Sequence, residues 1–231
     1  MNRNVIVVGA TVLLVGGFGI GGWIYQTKQA EAVAAANKAA EAALAASESA
    51  AAARTDALER QGAQRLGDPD ARVTIVEFFD PACETCAELS PYVKDLVTQN
   101  PGRVQVVSRY APFHAGSDKV VAILEAARRQ DLYWKTLEIM FSTQRTWADH
   151  QHPQPELLWD LLGQGGVDVA RLQTDSADPS IAAAIAEDLR DAKALGVKAT
   201  PEFFVNGKPL PKWGLRQLTE LVMAEIKAKY G

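Results

Sequence analysis

The feature that most constrains the fold is a pair of cysteines at a predicted junction between a strand and a helix. Cys83 and Cys86 are the only cysteines among 231 residues, and two residues separate them. The apolar run Val73–Phe79 before them predicts a strand, and the apolar spacing over Ala87–Gln99 predicts a helix. Two cysteines cannot form a disulfide scaffold, so their role is local. The arrangement indicates a redox device within an α/β fold.

The composition is that of an ordinary globular protein and disfavours nucleic acid as a partner. Hydrophobic residues make up 48% of the chain, charged residues 23%, and the formal net charge is −4. The sequence has no dense run of Lys and Arg, which a nucleic-acid surface would require. A chain of this length can hold one sizeable domain with an appendage, or two small domains.

The N-terminus carries an uncharged stretch that is long enough to cross a membrane. Val5–Tyr25 contains 21 residues without a charge. As a helix it would span roughly 31 Å at ~1.5 Å per residue, and a bilayer core is ~30 Å thick. The stretch predicts an uncleaved transmembrane signal anchor over residues 1–27. The alternative is a cleaved signal peptide with its site near Ala30–Ala32, although such peptides usually have shorter apolar regions.

Residues 28–62 are dominated by alanine and predict a long exposed helix. Alanine is the strongest helix former, and neither Pro nor Gly interrupts the stretch before Gly62. Leu44, Ala51 and Leu58 fall seven residues apart, which is a weak coiled-coil signal. We predict a helical stalk that holds the following domain away from the membrane, with an oligomerisation stalk as the alternative.

Residues 63–231 read as β-α-β, then helices, then a strand and a closing helix. Val104–Tyr110 predicts the second strand and Glu202–Val205 the last one. Asn206-Gly207 follows the last strand and is typical of a hairpin turn. Leu215–Lys229 carries an apolar stripe and predicts an amphipathic helix.

Only helices are predicted between the second and the last strand. This helical insertion covers about residues 116–195, and its first helical stretch is predicted from Asp118 to about Thr143. An α/β sheet interrupted by a helical insertion accounts for this order of elements.

The spacing of the cysteines assigns them different roles in thiol-disulfide exchange. Exchange needs a thiolate that attacks and a second thiol that resolves the mixed disulfide. If Cys83 opens the helix, its sulfur faces unpaired N–H groups and the positive end of the helix dipole, which favour the thiolate. Cys86 would lie one turn further in and be less reactive. We therefore predict that Cys83 attacks and that Cys86 resolves.

Glu77 interrupts an otherwise apolar strand six residues before Cys83. A carboxyl group inside a sheet is costly unless it has a partner or a task. Burial would raise its pKa, which suits a proton acceptor for Cys86. The alternatives are a carboxyl that faces solvent at a strand edge, or a structural pair with Lys94 or Lys198.

Thr200-Pro201 stands at the entrance of the strand Glu202–Val205. Proline is tolerated at a strand entrance, and an X-Pro bond in a tight turn can be cis. An extended backbone held there could pair with a substrate peptide by strand addition.

Together the two motifs resemble the DsbA-like branch of the thioredoxin superfamily. The motifs are Val76–Cys86 and Gly196–Gly207, and the resemblance extends from about Arg65 to Tyr230. It implies a thioredoxin fold with an inserted helical domain and an extracytoplasmic protein thiol-disulfide oxidoreductase. With the predicted anchor, it implies a single-pass protein of the inner membrane whose catalytic domain lies in the periplasm or outside the cell.

The resemblance also assigns roles to individual residues. Cys83 and Cys86 match the redox pair, and Glu77 matches the buried acid. Pro201 matches the cis-proline opposite the cysteines, and Thr200 matches the preceding residue, whose backbone contacts the substrate. The implied partners are cysteine-containing proteins and a membrane redox partner. No metal or cofactor is implied beyond a redox-active Cys83–Cys86 disulfide.

The two residues between the cysteines depart from the strongly oxidising members of that branch. Those members carry Pro-His, whereas this chain carries Glu84-Thr85. A histidine can stabilise the thiolate, and Glu84 instead places like charge nearby, so we expect a less oxidising couple. The direction of electron flow, as an oxidase or as a reductase or isomerase, therefore stays open.

A different class of function for the same cysteines is a binding module for a soft metal such as copper or zinc. Two thiolates are only half of a four-ligand structural zinc site, and no nearby His spacing completes it.

Two other residues receive structural interpretations. His114 is expected to form a structural hydrogen bond in its loop, and Trp213 is expected to pack against the last turn.

Replacing Glu84-Thr85 by Pro-His should raise the reduction potential of the cysteine pair, because the histidine stabilises the thiolate form. The measurement is the equilibrium of the protein with reduced and oxidised glutathione. An unchanged equilibrium would contradict the assignment of Glu84 and Thr85 as the residues that tune the couple.

Overall fold

The computed structural model describes the backbone of residues 3–149 and 152–231. Within the first helix it describes the side chains of Trp23, residues 27–29, Glu31 and Val33 onward. The chain divides into two units, Met1–Ala53 and Arg54–Gly231. Over the described part of the chain, no helix has both the length and the apolar character needed to cross a bilayer. The anchor predicted over residues 1–27 rests largely on side chains outside those described.

The first unit is a single helix, α1, which extends over Arg3–Leu58 and so ends in the second unit. The helix persists because its sequence is rich in alanine and contains no proline. It ends shortly before Gly62, whose positive φ of 87° suits a turn and not a helix. The stalk predicted over residues 28–62 is thus helical as far as Leu58, while its role as a spacer stays a prediction.

The second unit contains a five-stranded sheet. The strands of the described residues are β1 (Gln64–Gly67), β2 (Val73–Phe79), β3 (Val104–Tyr110), β4 (Ala148–Asp149), β5 (His152–Pro153), β6 (Glu202–Val205) and β7 (Lys208–Pro209). Five of them form the sheet in the order β1-β3-β2-β6-β7. The central strand β2 pairs in parallel with β3 and antiparallel with β6. The short β4 and β5 form a separate two-stranded ribbon.

Eight further helices surround this sheet or belong to the insertion, counted over the described residues. They are α2 (Glu84–Thr98), α3 (Ser117–Arg128), α4 (Tyr133–Ser142), α5 (Gln144–Trp147), α6 (Leu158–Gln164), α7 (Val169–Ser176), α8 (Pro179–Leu195) and α9 (Leu215–Tyr230). Helices α3 to α8 lie between β3 and β6 in the chain, which is the position predicted for the helical insertion.

Both faces of the sheet are covered, so all seven residues of β2 are buried. Val73 and Ile75 lie in one apolar cluster with residues of α2 and α9. Val76 and Phe78 lie in another, with Leu58 at the end of α1 and Ala192 of α8. A strand buried on both sides reads as a nearly continuous apolar run, as Val73–Phe79 does, with Glu77 as its ionisable residue.

The predicted hairpin turn is present between β6 and β7. Asn206 and Gly207 have φ values of 47° and 77°, and both lie in the left-handed region that a tight hairpin turn requires. The Asn206 side chain also accepts a hydrogen bond from the Thr74 N–H at 2.9 Å, which ties the turn to β2.

The prediction of one helical stretch from Asp118 to about Thr143 was wrong. The stretch is broken into α3 and α4, and Asp131 in the connection has a φ of 59°. A residue in the left-handed region cannot continue an α-helix, and Asp is one of the few residues that adopt it readily. The prediction of helices alone between β3 and β6 was also wrong, because β4 and β5 lie there. Strands β1, β4, β5 and β7 were not predicted, because strands of two to four residues are too short to show alternation.

Within the second unit, a buried arginine holds the last residues of α1. Arg109 of β3 is fully buried and pairs with Asp188 and Asp191 of α8, both at 2.7 Å. It also donates to the backbone carbonyls of Ala57 and Leu58. Charge-assisted bonds to two carboxylates offset the cost of burying the guanidinium. The last residues of α1 are therefore held against β3 and α8.

Candidate active site at the start of helix α2

The two cysteines lie where the central strand ends and α2 begins. Cys83 is the residue that precedes the first turn of α2, in an extended conformation with φ −76° and ψ 120°. It is 7% exposed, whereas Cys86, inside the first turn, is fully buried. Both are free thiols. The placement of Cys83 at the N-terminus of the helix is the one that the sequence predicts.

The surroundings of Cys83 favour its thiolate. Its pKa is lowered from 9.0 to about 6, chiefly by a hydrogen bond from the Cys86 thiol. Burial acts in the opposite direction, and a hydrogen bond from the Thr200 side chain lowers the pKa further. The backbone N–H groups of Cys86 and Thr85 contribute in the same sense. These are the free N–H groups of the first helical turn, which attract negative charge.

Cys86 has the opposite character. Burial raises its pKa well above the ordinary value of 9.0, and its hydrogen bond to Cys83 and the negative charges of Cys83 and Glu77 raise it further. One sulfur of the pair is therefore a thiolate near neutral pH, and the other keeps its proton. This division provides one nucleophile and one proton donor within a single helical turn.

Glu77 lies on the central strand, directly across from Ser108 of β3 and Phe203 of β6. It is 9% exposed, which excludes the alternative of a carboxyl that faces solvent. Burial raises its pKa from 4.5 to about 8, and the negative charge of Cys83 adds to the rise. A carboxyl with this pKa exchanges a proton near neutral pH, as a general base requires.

A cavity of about 470 Å³ borders Glu77. Ser108 of the sheet, Lys94 of α2 and Trp134 of α4 are among its other lining residues. The cavity has room for several waters, and it includes polar groups that can hold them. Water in this cavity would give the buried carboxyl a route for proton exchange.

The Thr200-Pro201 segment lies against the redox pair although Thr200 and Cys83 are 117 positions apart in the chain. The peptide bond between Thr200 and Pro201 is cis. When protonated, the Cys83 thiol donates to the Thr200 carbonyl oxygen at 3.3 Å. The structure thus brings together Cys83, Cys86 and Thr200-Pro201.

Glu84 and Thr85, which the sequence assigns to redox tuning, differ in exposure. The Glu84 side chain is exposed and the Thr85 side chain is half-buried. It is the backbone N–H of Thr85 that acts on the Cys83 sulfur. The assignment of Glu84 and Thr85 as tuning residues stays a prediction.

Sequence reasoning missed a buried carboxylate beside the cysteines. Asp80 is fully buried and accepts hydrogen bonds from the Ala82 N–H at 2.8 Å, from the His114 N–H at 3.1 Å and from the Ser117 hydroxyl. The His114 ring nitrogen Nδ1 lies 2.7 Å from the same carboxylate, so His114 does form the structural hydrogen bond expected of it. Asp80 holds the loop that presents Cys83. The available signal was an Asp at the end of an apolar strand, followed by Pro.

Trp213 lies beside the cis-proline segment and not in a packed core. The residue is 53% exposed, and its Nε1–H donates to the Pro201 carbonyl oxygen at 3.1 Å. This hydrogen bond to the cis-proline segment was not predicted, and the expectation that Trp213 packs against the last turn stays a prediction.

Among the described residues, no three His, Cys, Asp or Glu side chains are grouped as a metal site would require. The cysteine pair supplies two thiolate ligands at most, and structural zinc is almost always held by four ligands. The geometry therefore gives the alternative of a soft-metal module no further support.

Comparison with known proteins identifies relatives of the second unit. A model of the thioredoxin family matches residues 60–222. The Na(+)/H(+) antiporter NhaA of Herminiimonas arsenicoxydans is 31% identical over 144 residues, which are 62% of this chain and 22% of the antiporter. The chain thus spans about a fifth of the length of this curated relative.

Solved structures show the same fold. A thioredoxin-like oxidoreductase from Silicibacter pomeroyi DSS-3 is 27% identical, with a TM-score of 0.64, over 76% of this chain and 98% of that one. The structure of α-DsbA1 from Wolbachia pipientis is 18% identical, with a TM-score of 0.63, over 76% of this chain and 96% of that one. At this identity the likeness concerns the fold alone. The predicted thioredoxin fold is confirmed. The likeness to the first structure supports the prediction that the chain is an oxidoreductase enzyme.

Replacing Glu77 by Gln should stabilise the reduced protein increasingly as the pH rises from 4.5 to about 8. In this window the unfolded carboxyl ionises while the buried one stays protonated, so wild type loses up to about 1.4 kcal/mol of stability per pH unit, and Gln does not. The lowered pKa of Cys83 has the opposite effect, stabilising the folded state as the pH rises from about 6 to 9, but both proteins share it. Urea unfolding at several pH values measures the difference. If the difference in free energy of unfolding between the variant and wild type does not vary with pH, Glu77 is not a buried carboxyl that stays protonated.

Proposed function

This chain belongs to the thioredoxin family, and from that premise we propose that it is a protein thiol-disulfide oxidoreductase of the DsbA-like type. Its proposed substrates are proteins that contain cysteines. The observation that carries the proposal is that the pKa values of two neighbouring thiols shift in opposite directions. The pKa of Cys83 is lowered to about 6, and that of Cys86 is raised. A structural pair of buried thiols would have both pKa values raised by desolvation.

In the first step the Cys83 thiolate attacks one sulfur of a substrate disulfide. A new S–S bond forms between Cys83 and that sulfur, the substrate S–S bond breaks, and the second substrate sulfur leaves as a thiolate. Cys83 is suited to this step because it is ionised near neutral pH and is the more exposed sulfur of the pair.

In the second step Cys86 resolves the mixed disulfide. The mixed disulfide removes the negative charge of Cys83, which had raised the pKa of Glu77, so the ionised form of Glu77 becomes more populated. The Cys86 thiol transfers its proton to that carboxylate, the resulting thiolate attacks the Cys83 sulfur, and the substrate leaves as a second thiolate. The protein is then oxidised to a Cys83–Cys86 disulfide and the substrate disulfide is reduced by two electrons. Run in reverse, the same steps oxidise two substrate thiols. A carboxyl with a pKa of about 8 can accept the proton and release it again.

The substrate peptide is proposed to lie against Thr200-Pro201. The Thr200 carbonyl oxygen is 3.3 Å from the Cys83 sulfur, so a peptide paired with this backbone would place its own sulfur within reach of Cys83. Backbone pairing tolerates varied side chains, which suits an enzyme with many protein substrates.

We further propose that residues 1–27 anchor the chain in the inner membrane and that residues 63–231 lie outside the cytoplasm. The uncharged stretch Val5–Tyr25 and the resemblance to DsbA-like proteins support this location, in which disulfides form and persist. An anchor would raise the local concentration of the enzyme near a membrane redox partner.

The reduction of insulin disulfides by the full chain, with glutathione as reductant, tests the proposed activity. Wild type should accelerate the reaction, Cys83→Ser should abolish the acceleration, and Cys86→Ser should instead accumulate a mixed disulfide at Cys83 that mass spectrometry detects. Glu77→Gln should slow resolution by about 10²-fold or more, because general-base catalysis is worth that much. Equal turnover by wild type and Cys83→Ser would overturn the proposal.

Fractionation of bacterial cells that express the full chain tests the proposed location. The protein should remain in the membrane fraction after an alkaline wash, and protease added to spheroplasts should digest residues 63–231. Recovery of the intact chain in the soluble fraction would contradict the anchor.

A further inference from the structure

A side chain of the helical insertion contacts the active-site loop directly. Gln144, the first residue of α5, is 6% exposed. Its Nε2 amide donates to the carbonyl oxygen of Pro81 at 2.8 Å and to that of Cys83 at 3.0 Å. One amide group therefore bridges the two carbonyls on either side of Ala82, in the loop that connects β2 to α2.

These bonds control the direction of the backbone around the Cys83 sulfur. The carbonyl of Cys83 and the N–H of Glu84 belong to one planar peptide group, so a bond that fixes the oxygen also fixes the N–H. The same oxygen accepts the first backbone bond of α2, from the Ala87 N–H at 3.2 Å. The N–H groups of Thr85 and Cys86, which stabilise the thiolate, follow in that first turn.

The opposite side of the loop is held from within. The Asp80 carboxylate accepts the Ala82 N–H, and the Asp80 carbonyl accepts the Cys83 N–H at 3.0 Å. Those bonds fix the N–H groups of the loop, whereas Gln144 fixes its carbonyls. The loop is thus held by two groups of Asp80 in the thioredoxin fold and by the side-chain amide of Gln144 in the insertion.

We propose that Gln144 is a positioning residue for the thiol-disulfide exchange assigned above: by holding the carbonyls of Pro81 and Cys83, it keeps the Cys83 sulfur aligned with the first turn of α2 and with the Cys86 thiol. The inference rests on the proposed function. It also gives the helical insertion a part in the chemistry, because α5 supplies the amide.

The chain offers a matched control in Gln105. This glutamine of β3 is 4% exposed, and its Nε2 also bridges two loop carbonyls, those of Ala71 at 3.0 Å and Pro69 at 3.4 Å. Both carbonyls precede β2, whereas the cysteines follow it. Gln144→Met and Gln105→Met each remove a buried amide that bridges two carbonyls, so both should lower Tm.

The readout that separates positioning from stability is the pH profile of Cys83 alkylation by iodoacetamide in the reduced full chain, with the modified site located by mass spectrometry. In Gln144→Met the midpoint should move upward by about one pH unit, which is about tenfold in the ratio of thiolate to thiol. The equilibrium with glutathione should move by a similar factor toward a less oxidising couple. Gln105→Met should keep the wild-type midpoint. A wild-type midpoint in folded Gln144→Met would overturn the proposal.

A second measurement applies to the wild-type protein and decides the matter if Gln144→Met does not fold. The NMR signals of the Gln144 side-chain amide should shift with pH at the same midpoint as the ionisation of Cys83, and those of Gln105 should not. A Gln144 amide that does not respond to that ionisation would overturn the proposal. Failure of the proposed function can be distinguished from failure of this inference. In the first case wild type itself would not accelerate insulin reduction, whatever the Gln144 variant does.

Discussion

The hydrogen bond between the Cys86 thiol and the Cys83 sulfur is the interaction on which the active site depends. It is the largest single cause of the low pKa of Cys83, and it also raises the pKa of Cys86. The bond forms because both sulfurs lie within the first turn of α2, one at its entrance and one inside it. Helix geometry thereby makes two identical residues chemically different, and the proposed division into attacking and resolving thiols follows from that difference.

The sheet and the helical insertion form the surroundings of this turn. The central strand β2 is buried on both faces, so the Glu77 carboxyl is largely shielded from solvent and its pKa is raised. The cavity beside Glu77 is bounded by α2 and α4, so the insertion shapes the surroundings of the proposed base. Gln144 of the same insertion holds the loop above it. The insertion thus contributes to the site through both α4 and α5.

Several elements could be predicted from the sequence because their signals are local. The strands Val73–Phe79, Val104–Tyr110 and Glu202–Val205 have the predicted bounds, since each is a short apolar run between turn residues. The break at Asp131 was missed, because no Pro or Gly marks it and the apolar positions resume at Leu132. The partners of Asp80 and the contact of Gln144 were also missed. They join residues 34 to 63 positions apart through polar atoms, and such pairs leave no periodic trace in a single sequence.

The activation of Cys83 is tested most directly by the ultraviolet absorbance of thiolate in the reduced wild-type protein, measured as a function of pH with Cys83→Ser as reference. A thiolate should form with a midpoint near pH 6 and be lost in Cys83→Ser, while Cys86 stays protonated well above pH 9. If the first thiolate forms only near the ordinary value of 9.0, the first turn of α2 does not activate Cys83, and the central claim is contradicted.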